Sequence, residues 1–306
     1  MPRGPARLIR VGCALLLALS GGQVRAQSAG AGPPILGAPA TYVGLNVWLG
    51  GVTAAVRAQR RGASPWRAAL VGAVGGATTA AGQRLIGTGP PGARLAGLQL
   101  TALGANVSRN AGTGVPPLSD LLLPVYPFYV RVQPGARHPV RVRLSAVGAG
   151  GLLATVARRR DHPRLDLRES LLSGAPVFRS PFTAVGVRPP ERDACTPDRC
   201  PVGLHYAGAV LYAGGGDSRV AGEREATLRH EAGHLAQLAR DGVLFGVPAS
   251  DRILAAAGRP GRWARGWLVA DVALPLLGAN VLSAAASPDP ARRSLYEHEV
   301  RAMMRD

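Results

Sequence analysis

The residues that most constrain the fold of this chain are His230, Glu231 and His234, which form an H-E-x-x-H motif. Residues four apart lie on one face of an α-helix, so both imidazoles can reach one metal ion if the segment is helical. A carboxylate placed directly after the first histidine can take a proton from a metal-bound water. The motif therefore predicts a helix that carries a zinc site, with the two histidines as ligands and Glu231 as general base.

The residues around the motif predict a helix over about 222 to 240. Leu228, Leu235 and Leu238 form an apolar stripe that can be buried against a core. Gly242 follows the stripe, and glycine is typical of the position just past a helix end. The competing interpretation is a surface helix whose two histidines are solvated and hold no metal.

A catalytic zinc site needs a third protein ligand. The metzincin extension of the motif would put a histidine at position 240, where this chain has Arg240. The glutamates and the histidine downstream of the motif all lie in one cluster, at Glu297, His298 and Glu299. This cluster is the best source of the third ligand. On one helix Glu297 and Glu299 would project about 200° apart, so only one of them can face the motif histidines.

H-E-x-x-H followed about sixty residues later by an acidic run on a second helix resembles the gluzincin class of zinc metallopeptidases. In layout it is most similar to the membrane-associated CAAX-processing proteases, whose second-helix motif is E-x-x-x-D. The resemblance implies that Glu297 is the third ligand and that the substrate is a peptide or protein. Arg301 stands where that motif has its acid. The run H-E-x-G-H-x-x-Q, which ends at Gln237, also looks like a set of bacterial envelope proteins with Gly-rich N-terminal segments.

Two functions are compatible with these residues. The first is a zinc-dependent hydrolase of the cell envelope, a metallopeptidase in which Glu231 activates a zinc-bound water. The second is a non-catalytic envelope protein with a structural or vestigial zinc site, an interpretation that Arg301 favours. A fourth protein ligand would indicate a structural site, and an exchangeable water would indicate a catalytic one.

The N-terminal residues predict export. Three arginines precede the apolar run 11–20, which is too short to span a bilayer, and a small-x-small cleavage pattern follows at 24–26. We therefore expect residues 1–26 to be a secretory signal peptide, with an uncleaved anchor as the alternative, and we expect the protein in the periplasm or cell envelope. Cys195 and Cys200 then predict a disulfide, with a metal site as the alternative.

The net charge of +18 rests on arginine alone, since the chain has no lysine. The arginines form short, scattered clusters without a recognition motif or interleaved aromatic residues, so the charge does not predict nucleic-acid binding. A basic envelope protein would meet anionic lipid or polymer first.

The remaining patterns predict an α+β fold in successive parts: a flexible linker at 27–40, a Gly- and Ala-rich helical region at 41–118, a β-rich region at 119–215 and a helical zinc-binding region at 216–306. The uncharged stretches of the first helical region are too short for spanning helices. They could pack as helices in a soluble core, or associate with a membrane as half-spanning helices. Their high glycine content favours the membrane, and the small-x-x-x-small pair Gly72 and Gly76 predicts closely packed helices.

Alternating apolar and polar residues over 128–133 and 140–145, with a turn between them, predict a β-hairpin with arginines on one face. Further strands are predicted around 152–157, 176–179, 183–187 and 203–213. In peptidases of the class that this chain resembles, a strand directly before the metal helix lines the substrate cleft. An edge strand there can hold an extended peptide by main-chain pairing.

Overall fold

The computed structural model describes residues 39–182, 203–206, 208–213, 220–269, 271, 300, 303 and 304. The predicted signal peptide, the strand predicted at 183–187, both cysteines of the predicted disulfide, and the ligand candidates Glu297 and Glu299 lie outside the described residues. The predictions on them stay predictions.

The described chain has an α+β fold, as the sequence predicts. Its helices are α1 (Pro39–Gln59), α2 (Pro65–Thr88), α3 (Ala93–Thr113), α4 (Ala146–Ala157), α5 (Leu167–Ser173), α6 (Val220–Asp241), α7 (Val247–Ala256) and α8 (Gly258–Ala264). Its strands are β1 (Leu121–Val125), β2 (Phe128–Val132), β3 (Val140–Ser145), β4 (Arg164–Leu165), β5 (Val177–Ser180), β6 (Gly203–Tyr206), β7 (Ala209–Ala213) and β8 (Leu268–Val269).

Glycines allow α1, α2 and α3 to pack at very short range. A Cβ atom at Gly76 of α2 would overlap the backbone of Asn46 on α1, and one at Gly104 of α3 would overlap the carbonyl oxygen of Gly75. The close approach predicted from Gly72 and Gly76 is therefore confirmed. Within the described ranges, no helix combines the length and the hydrophobicity that crossing a membrane requires.

The first sheet has the strand order β1-β2-β3-β8, and the predicted hairpin forms its β2–β3 pair. The arginine face of this hairpin is buried at Arg143, whereas Arg141 on the same face is exposed. Arg143 is 2% exposed and pairs with Asp251 of α7 at 2.7 Å, whereas Val140 and Val142 on the opposite face are each 57% exposed. Asp251 thus lies inside α7 and neutralises a buried arginine.

The second sheet has the order β4-β5-β7-β6. The strands predicted at 176–179 and 203–213 are confirmed as β5 and the β6–β7 hairpin. The β6–β7 hairpin packs against α6, and β6 lies at one edge of the described sheet. The strand predicted at 152–157 is wrong, because these residues belong to α4. Ser145 begins that helix, since its Oγ accepts a hydrogen bond from the backbone N–H of Gly148 at 2.7 Å.

The main hydrophobic core includes α6, which packs against α2 and α3 of the helical region and against β6 and β7 of the second sheet. Its members are fully buried side chains from every layer, among them Leu98 of α3, Leu122 of β1, Tyr129 of β2, Val177 of β5 and Leu235 of α6. The helix that carries the motif is therefore a central element of the fold.

Candidate metal centre

The motif lies on a continuous helix, as its spacing predicts. Helix α6 runs over Val220–Asp241, and its leucine stripe is turned into the core, with Leu228 and Leu235 fully buried. The imidazole rings of His230 and His234 lie with their centroids 4.9 Å apart and edge to face. Two rings this close on one helix face can each present a nitrogen to the same ion.

A hydrogen bond orients the second histidine of the motif. The Nδ1–H of His234 donates to Oε1 of Gln237, one helical turn later, at 2.9 Å. Gln237 is itself fully buried. With its proton on Nδ1, His234 has Nε2 as the nitrogen that carries a lone pair. Hydrogen-bond partners such as Gln237 orient metal-binding histidines in many sites.

Sequence reasoning missed the role of Gln237. It used this residue only as part of the resemblance to bacterial envelope proteins. The spacing of three residues between His234 and Gln237 was the available signal, because side chains three apart on a helix are neighbours.

An ionic network, buried at Arg94 and Glu169 and half-buried at its other members, holds the first half of α6 in place. Arg94 of α3 is 1% exposed. It forms a short ion pair with Glu169 of α5 and a second, longer ion pair with Glu225 of α6 at 3.4 Å. Arg224 of α6 pairs with Glu169 at 3.1 Å, and Arg229 pairs with Glu225 at 3.0 Å. Each carboxylate of the network thus has two arginines, and the network joins α3 and α5 to the turns of α6 that precede His230.

Asp166, the N-cap of α5, extends this network to the second sheet. Its carboxylate accepts hydrogen bonds from the hydroxyl of Tyr212 on β7 at 2.7 Å and from the backbone N–H of Glu169 at 3.1 Å. Burial acts to raise the pKa of Asp166, but these two hydrogen bonds and the charge of Arg224 outweigh it and lower the pKa.

The far end of α6 is tied to α1. Arg240 is buried, pairs with Asp241 at 2.7 Å and donates to Oδ1 of Asn46 at 3.1 Å. The side chain at the third metzincin position is therefore committed to the interior. The α-helix ends at Asp241, as predicted, but the chain continues through a π-helical turn, Gly242–Gly246, directly into α7. Gly242 is required there because a Cβ atom would overlap the hydroxyl of Tyr129.

The described C-terminal residues lie against the motif itself. A Cβ atom at Gly233 would be 3.0 and 3.1 Å from the two methyl groups of Val300 and 3.5 Å from the sulfur of Met303. Val300 and Met303 are buried together with Tyr42 of α1 and Ala80 of α2. At 100° per residue, Gly233 and Glu231 flank the two histidines at about 80° on either side. Val300 thus borders one side of the histidine face, and Glu231, 6% exposed, borders the other.

The structure thus brings His230, Glu231 and His234 together. In the described ranges, no three His, Cys, Asp or Glu side chains form a set that could hold a metal ion. The predicted third ligand, Glu297, is not among the described residues. No protein-family model, curated protein or solved structure matches this chain.

Proposed function

We propose that this protein is a zinc-dependent hydrolase of the cell envelope, and that it acts as a metallopeptidase on a peptide or protein substrate. The observation that carries the proposal is the hydrogen bond between His234 and Gln237. A solvated helix histidine has no need of a fully buried partner on Nδ1, whereas a metal ligand uses such a partner to direct Nε2. The close approach of the His230 ring on the same face gives the second nitrogen of the site.

The contact between Val300 and Gly233 supports a third ligand from the 297–299 cluster. Glu297 and Glu299 precede Val300 by three residues and by one residue in the sequence, and Val300 itself lies against the motif helix. We assign Glu297 because of the resemblance to the gluzincin motif.

Zinc bound by these residues would polarise a substrate carbonyl and lower the pKa of a bound water. Glu231 lies beside the histidines and would accept the proton of that water and pass it to the leaving amine. The buried position of Glu231 keeps its carboxylate on a rigid helix, which favours a defined geometry for proton transfer. An extended substrate has one candidate binding edge in β6, which lies next to α6 at the edge of the described sheet.

Substitution of Glu231 by Gln separates binding from catalysis. The variant keeps the shape of the side chain, so we expect one zinc per chain, as in the wild type, and no hydrolysis of a peptide library or of an unfolded protein substrate. Activity at the wild-type level in Glu231→Gln would refute the assignment of the base. Metal content is measured by atomic absorption after dialysis, and hydrolysis by mass spectrometry of the peptides.

The third ligand is tested by Glu297→Ala and Glu299→Ala, each compared with the wild type for zinc stoichiometry. We expect zinc to be lost in the first variant and retained in the second. The reverse result would move the ligand to Glu299, and retention in both would place it outside this cluster. A water-exchangeable site, measured with cobalt in place of zinc, would distinguish an enzyme from the alternative of a structural zinc site with four protein ligands.

A further inference from the structure

Helices α7 and α8 pack against each other as a short hairpin that carries several exposed arginines. Arg252 of α7, Arg259 and Arg262 of α8, and Arg265 just after it are all exposed. None of the four forms an ion pair with a carboxylate in the described part of the chain. Asp251 is the one acid in these two helices, and it is paired with Arg143 at 2.7 Å. The hairpin therefore presents four uncompensated positive charges.

The same two helices also expose large apolar side chains. Ile253 is 63% exposed and Trp263 is 70% exposed. Trp267, 42% exposed, contacts Trp263 edge to face with the ring centroids 5.2 Å apart. On α8 the spacing of Arg259, Arg262 and Trp263 places charge and indole on one helix face. We call the six residues Arg252, Ile253, Arg259, Arg262, Trp263 and Arg265 the α7–α8 surface.

The end of α1 adds further positive charge next to the α7–α8 surface. Arg57 donates a short hydrogen bond to the carbonyl oxygen of Leu244 and lies over the ring of Phe245 at 6.0 Å. These contacts dock the end of α1, with the exposed Arg60 that follows it, onto the turn that leads into α7. Burial lowers the pKa of Arg57 to about 10, and neighbouring arginines, Arg252 among them, add to the effect. The positive charges of the two elements are thus close enough to repel one another.

We propose that the α7–α8 surface binds an anionic lipid bilayer. Each arginine near such a surface gains electrostatic attraction, while indole rings prefer the boundary between headgroups and acyl chains. Ile253 would bury its aliphatic side chain in that boundary, as the apolar residues of interfacial helices do.

Nucleic acid is the other polyanion that such a surface could meet. Base recognition by aromatic residues requires open ring faces on which bases stack. An edge-to-face pair leaves ring faces open, so the indoles alone do not decide between the two; Ile253, 63% exposed, offers no ring for a base but an aliphatic side chain that acyl chains can surround. The geometry therefore favours lipid over nucleic acid.

The test uses the full chain as purified from cells, with its N-terminus determined by mass spectrometry, and vesicles of phosphatidylcholine with or without phosphatidylglycerol. We expect co-sedimentation with the anionic vesicles alone and weaker binding at high salt. The double substitution Arg259→Ser/Arg262→Ser should lower the partition coefficient about 25-fold, since each arginine contributes roughly fivefold. The matched control, Arg164→Ser/Arg168→Ser, removes two exposed arginines from the β4–α5 segment and should bind within about twofold of the wild type.

Insertion is measured by quenching of tryptophan fluorescence with brominated lipids, which should weaken in Trp263→Leu. Three outcomes would overturn the proposal. One is equal loss of binding in the control and test variants, which would indicate a non-specific effect of net charge. Another is binding to a single-stranded oligonucleotide and not to vesicles. The third is loss of vesicle binding in Leu70→Ser/Val74→Ser, which alters the exposed side of α2, with none in Arg259→Ser/Arg262→Ser.

Discussion

Replacing Gly233 by leucine should detach the C-terminal segment from the motif helix. A Cβ atom at Gly233 already comes within 3.0 Å of a methyl group of Val300, closer than the 3.5–4.0 Å optimum for two carbon atoms. The three further carbons of leucine would occupy the space that Val300 fills. Val300 is fully buried, and burial of a valine side chain is worth about 1.5–3 kcal/mol. Losing it should raise the fraction of molecules with a detached segment roughly 10- to 100-fold.

Two measurements report on the detached state. Trypsin cleavage after Arg301 should accelerate by about the same factor of 10 to 100, because proteolysis follows the population of the open form. The dissociation constant for zinc, measured by competition with a chelator, should rise by a similar factor if the third ligand comes from the 297–299 cluster. Thermal unfolding followed by circular dichroism checks that the rest of the fold is intact.

The matched control is Val300→Ala in the Gly233→Leu background, which removes the two clashing methyl groups and should restore part of the zinc affinity. Cleavage and zinc affinity both unchanged in Gly233→Leu would refute the packing argument. Faster cleavage with unchanged zinc affinity would support the packing argument. It would also exclude the 297–299 cluster as the source of the third ligand.

Three further outcomes are expected. Gln237→Leu should weaken zinc binding about 10- to 100-fold, whereas Gln237→Glu, which keeps a hydrogen-bond acceptor, should not. Equal zinc affinity in both variants would contradict the role of Gln237 in orienting His234. Arg94→Met leaves Glu169 with one cation in a buried site and should lower the free energy of unfolding, measured in urea, by about 3–5 kcal/mol. Adding Glu169→Gln should recover part of this loss, and a double variant no more stable than Arg94→Met would refute the explanation. Tyr212→Phe should cost about 1.5–3 kcal/mol at pH 7, since it removes a hydrogen bond to the carboxylate of Asp166. This cost should shrink as the pH falls below about 4, because the pKa of Asp166 is lowered in the folded protein and its contribution is lost as the pH falls through that pKa; a cost independent of pH would contradict this.

The local periodicities of the sequence predicted the metal helix well. The leucine stripe and the H-E-x-x-H spacing depend only on residues within α6, and the structure confirms the helix within two residues at its start and one at its end. The β2–β3 hairpin was equally predictable, since its two strands alternate in register with each other. In each case the signal and the structure it predicts lie within one short segment.

The prediction of a strand at 152–157 was wrong, and the reason is also local. A short apolar run is compatible with a buried strand and with a helix, and the choice depends on where the helix begins. Ser145 supplies that start seven residues earlier by capping the N–H of Gly148. A search for N-cap residues upstream of the run would have found it.

The sequence by itself determined that His230 and His234 share one helix face with Glu231 beside it, that glycines bring the N-terminal helices together, and that the β2–β3 segments pair. Tertiary structure decided which side of that hairpin is buried. Taken alone, the pattern favours burying the valines, yet Arg143 is inside, because Asp251 from a distant helix neutralises its charge. It also decided that Val300 lies against Gly233 and that Arg94 joins α3 to α6. Such contacts join residues far apart in the chain, and only the packed fold brings them within reach of each other.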